Sequence, residues 1–254
     1  IACEEGRVDV VRLLLDNGAE VDRATEDGGT PLHGVCYKGG HVDAARLLLD
    51  NGAEVDRARG NGWTPLFVAC ENGNVDAAQL LLEKSAEVDR AENEYDKTPL
   101  YIACAEGHVE AARLLLEKGA EVDRADKYGM TPLYAACQNY QVDAARLLLA
   151  RGADVEWADK DGTTPLDAAK RHRHYDIVVM LLEEANAKLK RRLDRHEGTV
   201  LDLTAEDSDD DAPPRRSKLR ERHDKETTKH VDKIKKERDD HESRGELLDS
   251  MVTP

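Results

Sequence analysis

The chain has 254 residues, of which 40% are hydrophobic and only 4% are aromatic, and its formal net charge is −16. It contains no run of about 18 apolar residues, which excludes a membrane-spanning helix, and no secretory signal is visible. The part before residue 188 holds 20 basic and 35 acidic residues, a net charge of −15. Such a surface repels nucleic acid and anionic lipid, so we expect a neutral or basic protein partner.

One short motif recurs at a fixed interval and organises most of the chain. The triplet Thr-Pro-Leu begins at Thr30, Thr64, Thr98, Thr131 and Thr164, in steps of 33 or 34 residues. This period indicates a stacked array of helical repeats. In each repeat, Thr caps a first helix and Pro occupies its first turn, and a glycine ends it. A second, leucine-rich helix follows, and we expect its core residues to be Leu47, Leu81, Leu115 and Leu148.

The first 24 residues form only part of a repeat. Residues 1–9 align with residues 102–110, but the Thr-Pro-Leu triplet is missing. An array without a polar cap leaves an apolar face open, so we expect the first helix to fray. Because the chain starts at Ile1, inside a repeat, we expect the full protein to contain residues before it.

The five cysteines also follow the repeat. Stacked helices lie about 8–10 Å apart, whereas a disulfide requires Cα atoms about 4.4–6.8 Å apart. We therefore predict that the cysteines are reduced, buried packing residues, and their spacing predicts no metal site. They are Cys3, Cys36, Cys70, Cys104 and Cys137.

Four positions depart from the repeat pattern because another residue replaces a glycine. Ser85 stands at the end of a second helix, Asp96 in a turn, and Tyr140 and Arg173 between helices. If these positions keep a left-handed backbone, each non-glycine residue costs about 1 kcal/mol. The turn around Tyr95 also has one extra residue, which indicates either sequence drift or a turn shaped for a ligand.

These features resemble the ankyrin repeat family. The resemblance rests on the Thr-Pro-Leu triplets, on Gly-His-Val-Asp/Glu at residues 40–43 and 107–110, and on Leu-Leu-Leu-x-x-Gly-Ala beginning at Leu13, Leu47 and Leu114. It implies an all-α solenoid of paired antiparallel helices with short β-hairpin or loop fingers. The predicted parts are a partial repeat (1–24), five full repeats (25–187), an extension of the last helix (188–197) and a charged, mostly disordered tail (198–254).

The resemblance also implies where a partner binds. In this family, proteins dock on the concave side, which is formed by the finger tips and the first helices. Large apolar groups on outward turns are typical of binding hot spots, although a finger-tip tryptophan can instead pack on the neighbouring finger. The residues of this chain that match those positions are Asn61, Trp63, Tyr95, Lys97, Lys127, Tyr128, Met130, Gln138 and Asn139.

The tail contains a second candidate site. A short apolar run with one embedded acid is followed at once by an acidic cluster, residues 205–211. This pattern resembles the SUMO-interacting motif, which implies an extended strand that adds to the edge of a partner's sheet. A chance apolar run at the end of a long helix is the alternative. The motif residues are Val200, Leu201, Asp202, Leu203 and Thr204.

No catalytic motif, catalytic residue or cofactor-binding pattern appears in the sequence. We therefore predict a monomeric, non-enzymatic adaptor or scaffold that binds another protein with its repeats and a SUMO-type modifier with its tail. The expected location is the cytoplasm, with the nucleus as an alternative. Two other readings stay open: a regulatory or substrate-recognition fragment of a larger enzyme, such as a ubiquitin ligase or kinase, and a purely structural spacer.

Overall fold

The structure is a computed structural model that describes residues 2–38 and 41–201 together with positions 229, 232, 233 and 236. Within these residues it is all-helical, as the sequence predicts, and the fingers are loops rather than β-hairpins. The chain divides into two compact units, Ile1–Ala168 and Ala169–Pro254. The helices are α1 Val8–Asp16, α2 Pro31–Lys38, α3 Val42–Asp50, α4 Pro65–Glu71, α5 Val75–Glu83, α6 Pro99–Glu106, α7 Val109–Glu117, α8 Pro132–Gln138, α9 Val142–Ala150, α10 Pro165–Arg171 and α11 Tyr175–Leu201.

The Thr-Pro-Leu triplets start the first helix of each repeat, as predicted. In α4, α6 and α8 the threonine side chain accepts a hydrogen bond from the backbone N–H three residues later, at 3.1, 3.1 and 3.3 Å. Proline follows it in the first helical turn, where its missing N–H costs nothing. These helices are buried on all sides, since α4 packs between α2 and α6, and α6 between α4 and α8.

The second helices stack beside the first ones and bury one leucine-rich side. Helices α3, α5, α7 and α9 pack in succession, and each also packs on the first helix of its own repeat. The predicted core residues Leu81, Leu115 and Leu148 are fully buried. The prediction of Leu47 was wrong by one position: Leu48 is 1% exposed and belongs to the core, because α3 starts 33 residues before α5 rather than 34.

The cysteines are free, and all except Cys3 lie in the first helices of their repeats. Four of them, Cys36, Cys70, Cys104 and Cys137, are buried, and Cys3 is half-buried. Burial raises the pKa of the Cys36 thiol to about 12, so the reactive thiolate form is suppressed at neutral pH. The packing role predicted for these residues is confirmed for the four buried ones.

The four residues that replace glycine all keep the left-handed backbone. Their φ angles are 68° at Ser85, 58° at Asp96, 60° at Tyr140 and 59° at Arg173. Glycines at matching positions have similar values, for example 77° at Gly107. A side chain with a Cβ is strained in this conformation by about 1 kcal/mol or more, so the stack imposes its turn geometry even on unfavourable residues.

In the second unit, α11 runs for 27 residues and buries Ile177, Val178, Val179 and Leu181. The sequence predicted that this helix ends before Gly198, but it continues to Leu201. A glycine inside a helix costs about 1 kcal/mol without forcing the helix to stop. Beyond Leu201, nearly all of the predicted tail lies outside the described residues. None of the helices described is long and apolar enough to cross a bilayer.

Candidate protein-binding surface

Each full repeat presents a short turn, here called a finger, just before its Thr-Pro-Leu triplet. The five fingers are residues 25–29, 59–63, 92–97, 126–130 and 159–163. In each, the first residue donates its backbone N–H to the carbonyl of the last residue, at 2.9–3.0 Å. Neighbouring fingers are also joined, for example by a 2.8 Å bond from the Lys127 N–H to the Tyr95 carbonyl. These backbone bonds fix the spacing of the fingers along the array.

A buried carboxylate organises the inside of three fingers. The Asp126 carboxylate accepts the backbone N–H groups of Tyr128 and Met130, both at 2.9 Å, and Asp159 does the same in the last finger. In the third finger, Glu92 accepts three N–H groups, at 2.6–3.3 Å. The extra residue of this finger is accommodated because glutamate is one methylene longer than aspartate.

The second finger is built differently, and its tryptophan packs inward. Arg59 stands where the last three fingers have an acid. The Asn61 side chain accepts the Trp63 N–H at 3.1 Å. The half-buried Trp63 ring lies 5.2 Å from the Phe67 ring. Trp63 therefore contacts the first helix of its own repeat, and only part of it faces solvent.

A histidine links this finger to the repeat before it. The His33 ring is fully buried, and its Nδ1 accepts the Thr30 backbone N–H at 3.1 Å. Its Nε2 must then carry the proton and donate to the Trp63 carbonyl at 2.9 Å. Burial lowers the pKa of His33, which keeps the ring neutral in this role.

The third and fourth fingers bring four of the predicted site residues together. The Tyr95 and Tyr128 rings lie 6.2 Å apart. The Lys97 ammonium lies 4.9 Å from the Tyr95 ring centroid, and the Lys127 ammonium lies 4.2 Å from the same centroid. We call Tyr95, Lys97, Lys127 and Tyr128 the lysine–tyrosine cluster. Contacts of this kind hold cations over aromatic faces with about 0.5–2 kcal/mol each.

The other predicted residues border the lysine–tyrosine cluster or lie apart from it. Met130 is half-buried and packs against Tyr101 and Ala105 on α6 and Ala135 on α8. At the end of α8, Gln138 is half-buried, and the exposed Asn139 donates its side-chain N–H to the Ala105 carbonyl at 3.1 Å. Asn61 and Trp63 belong to the second finger, one repeat away.

One exposed aromatic residue at this surface was missed by the sequence analysis. Trp157 is 42% exposed, and its indole N–H donates to the Gly129 carbonyl of the fourth finger at 3.2 Å. The sequence did hold a signal for it. The preceding repeats read Glu-Val-Asp-Arg at this point, and Trp157 replaces the arginine of that pattern.

The same Glu-Val-Asp-Arg pattern carries a structural role that the sequence analysis did not assign. Its aspartate accepts a backbone N–H from the next repeat, so that a ladder of side-chain bonds ties the repeats together. The four bonds are Asp22 to Glu54, Asp56 to Glu87, Asp89 to Glu121 and Asp123 to Asp154, with shortest distances of 3.0–3.1 Å. These bonds connect each repeat to the next one.

Comparison with known proteins agrees with this architecture. The family model described as Ankyrin repeats (3 copies) matches residues 1–59, 56–126 and 121–192. The chain therefore belongs to the ankyrin repeat family. It is also similar to the crystal structure of the human ASB11 ankyrin repeat domain, with 33% sequence identity and a TM-score of 0.65, over 72% of this chain and 81% of that one. None of the curated proteins compared matches it. Ankyrin repeats are a protein–protein interaction module.

The SUMO-type motif stays a prediction. Val200 and Leu201 are the last two residues of α11, so their backbone is helical rather than extended. Asp202, Leu203 and Thr204 lie outside the described residues.

Proposed function

We propose that this protein is a non-enzymatic adaptor whose finger surface at the third and fourth fingers binds one protein partner. The observation that carries the proposal is the lysine–tyrosine cluster. Tyr128 is 45% exposed, yet its finger is held by backbone bonds to both neighbours and by the buried Asp126. A rigid aromatic residue loses little conformational entropy when a partner binds, which favours affinity.

The surrounding residues support the same surface. Met130 and Trp157 add apolar area on either side of Tyr128, and Asn139 adds a polar group at the end of α8. An adaptor and the substrate-recognition fragment of a larger enzyme would use this surface in the same way. A structural spacer would not use it at all.

The test compares a finger variant with a variant of the second helices. Full-length protein carrying Tyr95→Ala, Tyr128→Ala and Met130→Ala is used as affinity bait beside the wild type. The matched control carries Arg46→Ala, Gln79→Ala and Arg146→Ala, which are exposed second-helix residues. Quantitative mass spectrometry identifies the proteins captured, and each candidate is then titrated as a purified protein.

We expect a partner that binds the wild type and the control equally and binds the finger variant at least about tenfold more weakly, because hot-spot truncations cost 2 kcal/mol or more. Equal binding to all three proteins would favour the structural spacer and contradict the proposal. Circular dichroism spectra of the three proteins check that the variants remain folded.

For the tail, we propose separately that residues 200–204 bind a SUMO-type modifier by adding a strand to it. The acidic cluster at residues 205–211 supports this proposal through charge complementarity with a basic groove. The end of α11 would have to unwind at Val200 and Leu201. Titration of the full chain with a SUMO-type protein should shift the NMR signals of residues 200–204, and no shift at millimolar concentration would rule the motif out.

A further inference from the structure

We propose that the lysine–tyrosine cluster recognises a carboxylate of the partner that stands next to an apolar side chain. This inference rests on the proposed function, because it assigns the chemistry of the partner at the same surface. It starts from the two lysines, whose positions are set before a partner arrives.

Both ammonium groups are positioned by the same aromatic ring. The Lys97 and Lys127 nitrogens lie within 4.9 Å of the Tyr95 ring centroid, and Lys127 also lies 5.1 Å from the Tyr128 ring. In addition, the Lys127 ammonium donates to the Glu94 backbone carbonyl at 2.5 Å. A lysine normally loses much rotamer freedom on binding, so this prior ordering lowers the entropy cost of recognising an anion.

Two of the four carboxylates of these two fingers are engaged by backbone N–H groups inside the fingers. Glu92 and Asp126 accept backbone N–H groups inside the fingers. Burial, and then the charge of the Asp126 carboxylate, raise the pKa of the Tyr101 hydroxyl. The nearby Glu94 carboxylate raises the pKa of the Tyr95 hydroxyl. Asp96 is exposed and holds the left-handed turn. Among the described residues, none of these carboxylates comes within 4.0 Å of the Lys97 or Lys127 ammonium.

The arginines of the Glu-Val-Asp-Arg pattern provide a contrast. Each has a glutamate three residues earlier, at 3.7 Å for Arg57, 3.9 Å for Arg90 and 3.8 Å for Arg124. Each of these arginines therefore forms an ion pair with a glutamate of its own Glu-Val-Asp-Arg segment. In the lysine–tyrosine cluster the two cations rest on aromatic rings instead, and a carboxylate from outside can make charge-assisted hydrogen bonds to both.

Two further observations restrict the partner. Tyr128 and Trp157 are exposed and Met130 is half-buried, so an apolar side chain beside the carboxylate finds a contact surface. The repeat part carries a net charge of −15, which repels a segment with many acids. The fitting segment therefore has one or two carboxylates between apolar residues rather than an acidic run.

The test uses two blocked synthetic peptides that differ by one group. One contains Leu-Asp-Leu at its centre and the other contains Leu-Asn-Leu, and both are titrated into the isotope-labelled full chain. We expect the aspartate peptide to shift the backbone NMR signals of Lys97, Lys127 and Tyr128, with an affinity at least about fivefold higher than that of the asparagine peptide. Equal affinities, or no shift at millimolar concentration, would overturn the inference.

Protein variants complete the test. Lys97→Gln with Lys127→Gln should remove the preference for the aspartate peptide, whereas Lys118→Gln with Lys38→Gln, two exposed lysines outside the cluster, should keep it. If the control variant loses the preference to the same extent, general charge attraction explains the binding and the inference fails. If the captured partner is lost by the finger variant but still binds Lys97→Gln/Lys127→Gln, the proposed function stands and the carboxylate inference alone is wrong.

Discussion

Helices α1 and α7 have nearly the same sequence but different surroundings. Their nine residues read VDVVRLLLD and VEAARLLLE. Leu14 in α1 is 49% exposed, whereas Leu115 at the same position of α7 is fully buried. Helix α7 packs against α5, α6 and α9, while α1 packs mainly against α3. The comparison shows that an individual repeat helix does not bury its apolar side by itself, because its neighbours do so.

The exposed side of α1 also agrees with the prediction for the partial first repeat. Val10 and Leu13 are 39% and 62% exposed, although the residues at the same positions of α7, Ala111 and Leu114, are buried and half-buried. Few apolar contacts and exposed backbone bonds are the features of a segment that opens easily. Whether α1 frays remains a prediction for amide-exchange measurements.

The largest expected change in the free energy of unfolding tests the comparison between α1 and α7 directly. Leu115→Ala should lower the free energy of unfolding by about 3 kcal/mol, because a fully buried leucine loses its contacts and leaves a cavity. Leu14→Ala should cost less than about 1 kcal/mol, because half of that side chain is already in water. Urea denaturation of the full chain, followed by circular dichroism, measures both. Similar losses for the two variants would mean that α1 is buried in solution.

A smaller change in the free energy of unfolding is expected from the left-handed turns, whose strain is local and does not depend on neighbouring repeats. Ser85→Gly should stabilise the array by about 1 kcal/mol, because Ser85 has a φ angle of 68°. Gly119→Ser, at the matching position after α7, should destabilise it by about the same amount. A Cβ at Gly119 meets no atom within 4 Å, so only the backbone strain is measured. If the two denaturation midpoints do not move in opposite directions, the left-handed turn is not the source of the cost.

The smallest expected change in stability concerns the aspartates of the Glu-Val-Asp-Arg pattern, which accept backbone N–H groups from the next repeat. Burial raises the pKa of the Asp89 carboxyl above its ordinary value of 3.8, although its bond from the Glu121 N–H acts in the opposite direction. The folded protein therefore binds more protons than the unfolded protein in the window between 3.8 and the raised pKa, and stability falls as pH rises through it. When the pH is lowered from about 7 to about 4, the free energy of unfolding of the wild type should rise relative to that of Asp89→Asn by roughly a few tenths of a kcal/mol.

Asp50→Asn provides the control of opposite sign. The hydrogen bond from Lys84 holds the pKa of the Asp50 carboxyl below its ordinary value of 3.8, so this group contributes stability that is lost as pH falls below 3.8 and through the lowered pKa. Urea titrations at about pH 7, about pH 4 and about pH 3 measure the difference in unfolding free energy between each variant and the wild type across both windows. The same sign for both variants would contradict the account of the ladder.

The fold was largely predictable from sequence because its signals are local and repeated. The caps at Thr64, Thr98 and Thr131 and the turns at the repeat glycines depend on residues within one turn of each other, and the structure confirms them. The core register of α3 was assigned wrongly because the repeat length varies between 33 and 34 residues, and α3 starts 33 residues before α5. The end of α11 was also misplaced, because a single glycine is a weak stop signal.

By itself, the sequence determined the repeat array, its helix caps, its buried cysteine column and the four positions that adopt a left-handed backbone. Only the tertiary structure decided that Trp157 reaches the Gly129 carbonyl and that Lys127 joins Lys97 at the Tyr95 ring. The physical reason is distance along the chain. Capping and turn geometry are set by adjacent residues, whereas contacts between fingers join residues about 30 positions apart and arise only when the repeats stack.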